Sequence, residues 1–198
     1  NYREHAAESG MEPPTQPIVF AKPTSTVCGP GDEIILPACC NDGPEVDYEC
    51  ELAVVIGKPA RNVLQADALD YVLGYTCAND VSARKWQLNA GGGQWIRGKG
   101  FDTFCPVGSA VPLADVDLDG LDVTTRVNGE VRQQGPASDM VFDIPAIIAY
   151  VSGVMTLEPG DLIATGTPDG IGPLAAGDHV VVEVSGVGSV SNPVVAGA

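Results

Sequence analysis

Proline and glycine set the terms on which this chain can fold. Seven prolines, Pro13, Pro14, Pro17, Pro23, Pro30, Pro37 and Pro44, stand within the first 45 residues. Each fixes φ and removes a backbone donor, so no long helix can run through this segment, which reads as irregular structure with short strands. The full 198 residues hold 16 Pro and 24 Gly, with 44% hydrophobic and 18% charged residues. That balance predicts a turn-rich, β-containing domain with a buried core and argues against disorder. No repeat or compositional break divides residues 1–198, so a single domain is expected.

Hydrophobic periodicity supplies the elements. The run from Tyr48 to Gly57 alternates and then becomes uniformly apolar, predicting a strand that passes from a half-exposed to a buried setting. Asp67 to Gly74 reads as a short helix with an acidic first turn and a glycine stop, followed by a strand from Tyr75 to Val81. Gly91, Gly92 and Gly93 read as a mobile turn. Leu121 to Val127, Asn128-Gly129 and Glu130 to Arg132 predict a hairpin with a type I′ turn. Asp143 is placed to cap a helix from Ile144 to Val151 that ends at Gly153. His179 to Val184 and Val187 to Val190 predict a second hairpin around Gly186. The sum is a mixed, β-rich α+β fold with a few short helices.

Charge narrows the partners. Ten Lys and Arg face 26 Asp and Glu, for a formal net charge of -16. Such a surface repels phosphate backbones and anionic lipid, arguing against nucleic-acid and membrane partners, yet hard divalent cations seek carboxylates. The six cysteines form no CxxC pair, which argues against thiolate zinc. Cys50, Cys77 and Cys105 lie in apolar runs and read as buried free thiols, consistent with an intracellular, cytoplasmic protein. No signal peptide or membrane-spanning run is visible. The chain starts at Asn1 without a Met, so it is expected to lack an N-terminal extension, where a mitochondrial targeting segment would lie in a eukaryotic protein.

Several residues carry chemistry. Glu49 and Glu51 are one residue apart in a strand-like run, which puts both on one face. A solvated strand face would look the same, but the apolar run Leu52 to Ile56 pulls the pair toward burial. Asp80, at a strand end, adds a third carboxylate, and an all-oxygen set suits Mg²⁺, Mn²⁺ or Ca²⁺ better than zinc. Arg84 and Gln87 are three apart and share a face in a helical turn, where a guanidinium and an amide would suit a substrate carboxylate. Lys99 stands between Gly98 and Gly100, which allow close approach to a ligand. His5 and Glu8 have the spacing of a carboxylate-oriented imidazole, a general acid–base device. His179, in an apolar strand, reads as structural. The glycine-rich loop from Thr165 to Gly172 has no lysine and is not a P-loop. Taken alone, each feature could equally be ordinary surface.

Together they form a pattern. NYxxHxxE at Asn1 to Glu8, FxKP at Phe20 to Pro23, DYExELAVVIGK at Asp47 to Lys58, GYTxANDVSAR at Gly74 to Arg84 and GKGFDTFCPVG at Gly98 to Gly108 run in order along the chain. VNGEVRQ at Val127 to Gln133 and TLEPGDLIATGTPDGIG at Thr156 to Gly172 follow. The chain resembles the fumarylacetoacetate hydrolase family throughout, in particular its FAHD2-like branch and the bacterial acylpyruvate hydrolases. The resemblance implies the family's β-sandwich roll, a homodimer, and a bound Mg²⁺ or Mn²⁺. It implies Glu49, Glu51 and Asp80 as metal ligands, and His5, Glu8 and Lys99 as catalytic residues. Lys22, Arg84, Gln87 and Thr167 would contact a small 2-oxo acid substrate. The implied reaction is hydrolysis of a carbon–carbon bond in an acylpyruvate or related 1,3-diketo acid. Oxaloacetate tautomerisation or decarboxylation, and isomerisation of unsaturated 2-oxo-diacids, are alternatives that use the same metal–enolate chemistry. The expected lack of an N-terminal extension and Ser109, which replaces a proline common in the family, are the two departures.

Overall fold

The structure is a computed structural model that describes residues 1–8, 10, 12–40, 45–89 and 92–198. Pro44 and Gly91 of the expected turns lie outside the described residues. A short helix α1 (Arg3–Glu8) leads into an extended segment with β1 (Val27–Cys28) and β2 (Ile34–Leu36). Next come β3 (Val46–Tyr48), β4 (Cys50–Ile56), β5 (Val72–Asn79) and β6 (Ser82–Ala83). Helix α2 (Trp95–Lys99), β7 (Cys105–Pro106) and β8 (Val111–Pro112) follow. The second half holds β9 (Asp122–Val127), β10 (Glu130–Pro136), α3 (Ile144–Val154) and β11 (Leu162–Ala164). It ends in β12 (Gly172–Pro173), β13 (His179–Val184) and β14 (Gly188–Ala196).

The strands form a five-stranded sheet, β10-β9-β13-β14-β2, and a four-stranded sheet, β11-β4-β5-β8. A three-stranded sheet, β12-β3-β6, and a parallel pair, β1-β7, complete them. β13 and β14 pack on β4 and β5, so Leu52, Val54, Ile56, Tyr75, Val123, Val182 and Val190 share one buried cluster. β4 is buried at all seven positions, as the apolar run Leu52 to Ile56 demands between two neighbouring strands, and Glu51 is buried with it. The sheet-rich fold with short helices is the one the sequence predicts. Among the described residues no helix is long and apolar enough to cross a membrane.

Local chemistry explains most boundaries. Asn128 and Gly129 both have positive φ, 53° and 84°, the requirement of the type I′ turn between β9 and β10. The Asp143 side chain accepts a 2.8 Å hydrogen bond from Ala146 N, capping α3 as expected. Three expectations need correction. Asp67 to Gly74 is not a helix with a glycine stop: a 3₁₀ segment, Gln65–Tyr71, gives way to β5 at Val72. Gly74 lies inside that strand, where a Cβ would collide with the Val111 carbonyl of β8; its smallness serves strand contact rather than helix termination. Helix α3 also continues past Gly153, with Met155 N bonding to Val151 O. Finally, Tyr48 to Gly57 is not one strand, because the ladder breaks at Glu49.

Candidate active site

That break builds the floor of the site. Glu49 N donates to the Asn79 side chain at 3.0 Å, and Asp80 N donates to Glu49 O at 2.8 Å. Glu49 is thereby moored to the end of β5, where Asp80 follows, while Glu51 projects from β4. Glu49, Glu51 and Asp80 each place a carboxylate oxygen within 4.8 Å of the others, and all three residues are buried. A solvated strand face is therefore set aside.

Cations surround the cluster. Lys99 is 2% exposed, and its ammonium donates to Glu49 Oε2 at 3.0 Å, Asp80 Oδ2 at 2.6 Å and Ser82 Oγ at 2.7 Å. Those bonds use all three of its protons, and the Phe20 ring covers it at 4.8 Å. Lys22 donates to Asp80 Oδ1 at 2.6 Å and Val81 O at 3.1 Å, which leaves it one proton. Arg84 reaches Asp47 at 2.9 Å, Gln87 at 2.7 Å and Glu49 at 2.6 Å, so two of its five N–H donors remain. Gln87 uses its carbonyl oxygen on Arg84, and its amide Nε2 has no partner among the described residues. Arg84 and Gln87 do meet, as their spacing predicts, Arg84 immediately preceding the widened helical turn Lys85–Asn89 that carries Gln87.

Electrostatics divides the carboxylates. Burial pushes the Glu49 carboxyl up, but Lys99 and Arg84 outweigh it and hold the group well below the usual carboxylate range. Glu51 has no cation in hydrogen-bond contact: burial, then Asp80 and Glu49, push it up to about 8, opposed by the more distant charge of Lys99 and by the Gly166 N–H at 2.6 Å. When ionised, Asp47, Glu49, Glu51 and Asp80 set four carboxylates against Lys22, Arg84 and Lys99. A divalent cation fits this donor set, because it relieves the crowding at Glu51 and meets hard oxygen ligands only.

The rim is a different construction. His5 Nδ1 lies 3.4 Å from Glu8 Oε2, one helical turn away on α1. Glu8 is fixed from its other side by Gly170 N, at 3.1 and 3.2 Å from its two oxygens. Burial lowers the His5 pKa, opposed by Glu49 and by the Glu8 hydrogen bond, so the imidazole is held neutral. Asn1 anchors the start of α1, donating from Nδ2 to Phe142 O at 2.9 Å and Thr165 O at 2.8 Å. Thr167 stands apart from the other expected substrate contacts. Its hydroxyl donates to Cys50 O at 2.7 Å and accepts from Gln133 at 2.8 Å, so it ties its loop to β4 and keeps no proton for a ligand. His179 is on the exposed side of β13, 3.1 Å from Ser191 Oγ, away from the cluster as its sequence context suggests.

Residues that motif reading passes over complete the site. Asp47 aligns Arg84, Ser82 holds Lys99, and Tyr2 is buried with a hydroxyl that has no partner among the described residues. Asp47 and Tyr2 sit inside the DYE and NYxxH runs, so position was their only signal.

The chain matches the fumarylacetoacetate (FAA) hydrolase C-terminal family over residues 1–195. The mitochondrial oxaloacetate tautomerase fahd2 of Xenopus laevis is 46% identical over 204 residues, spanning 98% of this chain and 63% of that protein. The crystal structure of 5-carboxymethyl-2-hydroxymuconate delta-isomerase from Mycobacterium smegmatis superposes with a TM-score of 0.89 and 46% identity, covering 100% of this chain and 76% of that one. Fumarylpyruvate hydrolase from Pseudomonas aeruginosa, in complex with Mn²⁺ and pyruvate, gives a TM-score of 0.91 at 31% identity, covering 100% and 87%. With the profile match, the ordered motifs and the superposed folds in agreement, the chain belongs to the fumarylacetoacetate hydrolase family.

Proposed function

We propose that this protein is a divalent-metal-dependent hydrolase that cleaves a carbon–carbon bond in an acylpyruvate or related 1,3-diketo acid. The observation that carries the reading is the neutral, half-buried His5 held by Glu8 at the edge of a buried carboxylate cluster. Glu49, Glu51 and Asp80 would hold Mg²⁺ or Mn²⁺, which when bound supplies a Lewis-acid centre for the carboxylate and keto oxygens of a 2-oxo acid. The fumarylpyruvate hydrolase complex with Mn²⁺ and pyruvate supports that ligand class. A divalent charge would also turn the cluster's excess from negative to positive, which suits an anionic substrate.

The chain's own groups divide the work. The remaining N–H groups of Arg84, Lys22 and Gln87 bind and orient the oxo-acid end. His5 takes a proton from water as the water oxygen adds to the distal carbonyl carbon, and Glu8 stabilises the imidazolium that forms. Cleavage then leaves a carboxylic acid and, once its carbanionic carbon takes a proton, a 2-oxo acid. Lys99 contributes charge rather than a hydrogen bond, since its protons stay on Glu49, Asp80 and Ser82.

A second reading, oxaloacetate tautomerisation or isomerisation of an unsaturated oxo-diacid, draws support from the Xenopus laevis tautomerase and the Mycobacterium smegmatis isomerase, each 46% identical. It uses the same binding groups and needs proton transfer without attack by water. Product analysis with Mn²⁺ separates the two: an acylpyruvate yields two acids under the hydrolase reading. Decay of enol-oxaloacetate with the acylpyruvate left intact assigns the protein to the second.

A further inference from the structure

We infer that Gln133 is the positioning residue that sets the metal ligands and the water-activating pair in register; the inference rests on the metal-dependent reading above. β10 is an edge strand, and Gln133 is its one fully buried residue, 1% exposed among exposed or half-exposed neighbours. A register shift between Val131 and Gln133 in the β9–β10 ladder marks the spot. Irregularities of this kind re-aim a side chain, and here they send a long amide into the core.

The amide meets a partner at every valence. Its Oε1 accepts from Cys50 N at 3.1 Å and Thr125 Oγ1 at 2.7 Å, and its Nε2 donates to Thr167 Oγ1 and Pro168 O, each at 2.8 Å. Cys50 N can only donate and Pro168 O can only accept, so the orientation of the amide follows from its neighbours.

What those neighbours do makes the residue more than core filling. Cys50 is the residue between Glu49 and Glu51. Thr167 and Pro168 belong to the loop whose Gly166 N–H bonds Glu51 and whose Gly170 N–H bonds Glu8. That loop lies directly against β10: a Cβ on Gly170 would overlap Arg132 O, and one on Gly135 would come within 2.9 Å of Pro168. One side chain therefore braces the start of β4, at Cys50 between two carboxylates, and the loop that aligns a third with His5. Losing it would loosen the ion-binding floor and the imidazole together.

The test is Mn²⁺ affinity, followed by the electron paramagnetic resonance signal of free Mn²⁺, in Gln133→Leu and in a control, Ser152→Ala. Ser152 is equally buried and bonds Val63 N at 3.0 Å, but none of its partners belongs to the site. Gln133→Leu should weaken Mn²⁺ binding about 10- to 100-fold, as loss of outer partners does at other metal sites. It should also lower kcat at saturating Mn²⁺, while Ser152→Ala changes thermal stability and leaves affinity alone. Native affinity in a folded Gln133→Leu protein overturns the inference. Should Gln133→Leu not fold, Thr125→Val, which removes one bond, decides: a Kd raised about threefold sustains the brace, and an unchanged one ends it. Absence of Mn²⁺ binding by the native protein is a separate outcome, which overturns the proposed function and this inference with it.

Discussion

The floor and the rim of the site both present carboxylates, yet they are held in opposite ways. Glu49 and Asp80 are nearly inaccessible and tied by bonds of 2.6 to 3.0 Å to Lys22, Arg84 and Lys99. Glu8 is exposed, its contact with His5 is 3.4 Å long, and its further bonds come from a single backbone N–H. Buried charges persist only when paired and hydrogen-bonded, so the floor belongs to the fold. The rim sits on a helix of six residues, too short to be stable alone, and depends on the loop at Gly170. Under the proposed function the contrast is a division of labour: the floor would decide what binds, and the rim what happens to it.

That division can be broken by experiment. The largest effect is expected from His5→Ala, which should lower kcat by about 10² to 10⁴ while leaving Mn²⁺ affinity intact. Calorimetry beside turnover would expose a joint loss, and then floor and rim would be one unit. Lys99→Met should cost about 10² to 10³ in kcat without weakening Mn²⁺ binding, since a competing ammonium leaves Glu49 and Asp80. The metal-free variant should melt at a lower temperature and recover with Mn²⁺, a pattern that differential scanning calorimetry resolves. The smallest and most specific effect concerns pH. Under the proposed reaction a neutral imidazole is the base, so the rate should fall as pH drops through the His5 pKa, which burial holds below 6.5. Glu8→Gln removes a charge that raises this pKa and should shift the acidic limb of kcat/KM to lower pH. A shift to higher pH would mean that His5 is not the group observed.

Much of the floor was legible because its signals are local. Glu-x-Glu beside an apolar run, and an aspartate at a strand end, need only the period of a strand, and the i, i+3 spacing of His5 and Glu8 needs only one helical turn. The flanking glycines drew attention to Lys99, and the resemblance then fixed the order of these residues and gave Lys99 a catalytic role. What escaped lies across the fold. Gln133 meets Cys50 at a separation of 83 residues, and Gly170 meets Glu8 at 162, distances over which periodicity carries no information. Thr167 shows the complementary limit: its position matches a substrate contact, but its hydroxyl is spent on Cys50 and Gln133. Gly74 read as a helix stop because glycine does punctuate helices, and only the neighbouring β8 reveals why a side chain is excluded there.

On the proposed reading, three buried carboxylates hold one divalent ion that in turn receives an oxo acid. Titrating Mn²⁺ into the native protein and into Glu51→Gln, with and without oxalate as a mimic of the chelating end, tests it most directly. One ion per chain, bound more tightly with oxalate and lost in Glu51→Gln, is the predicted result; equal binding in both proteins, or indifference to oxalate, would contradict it.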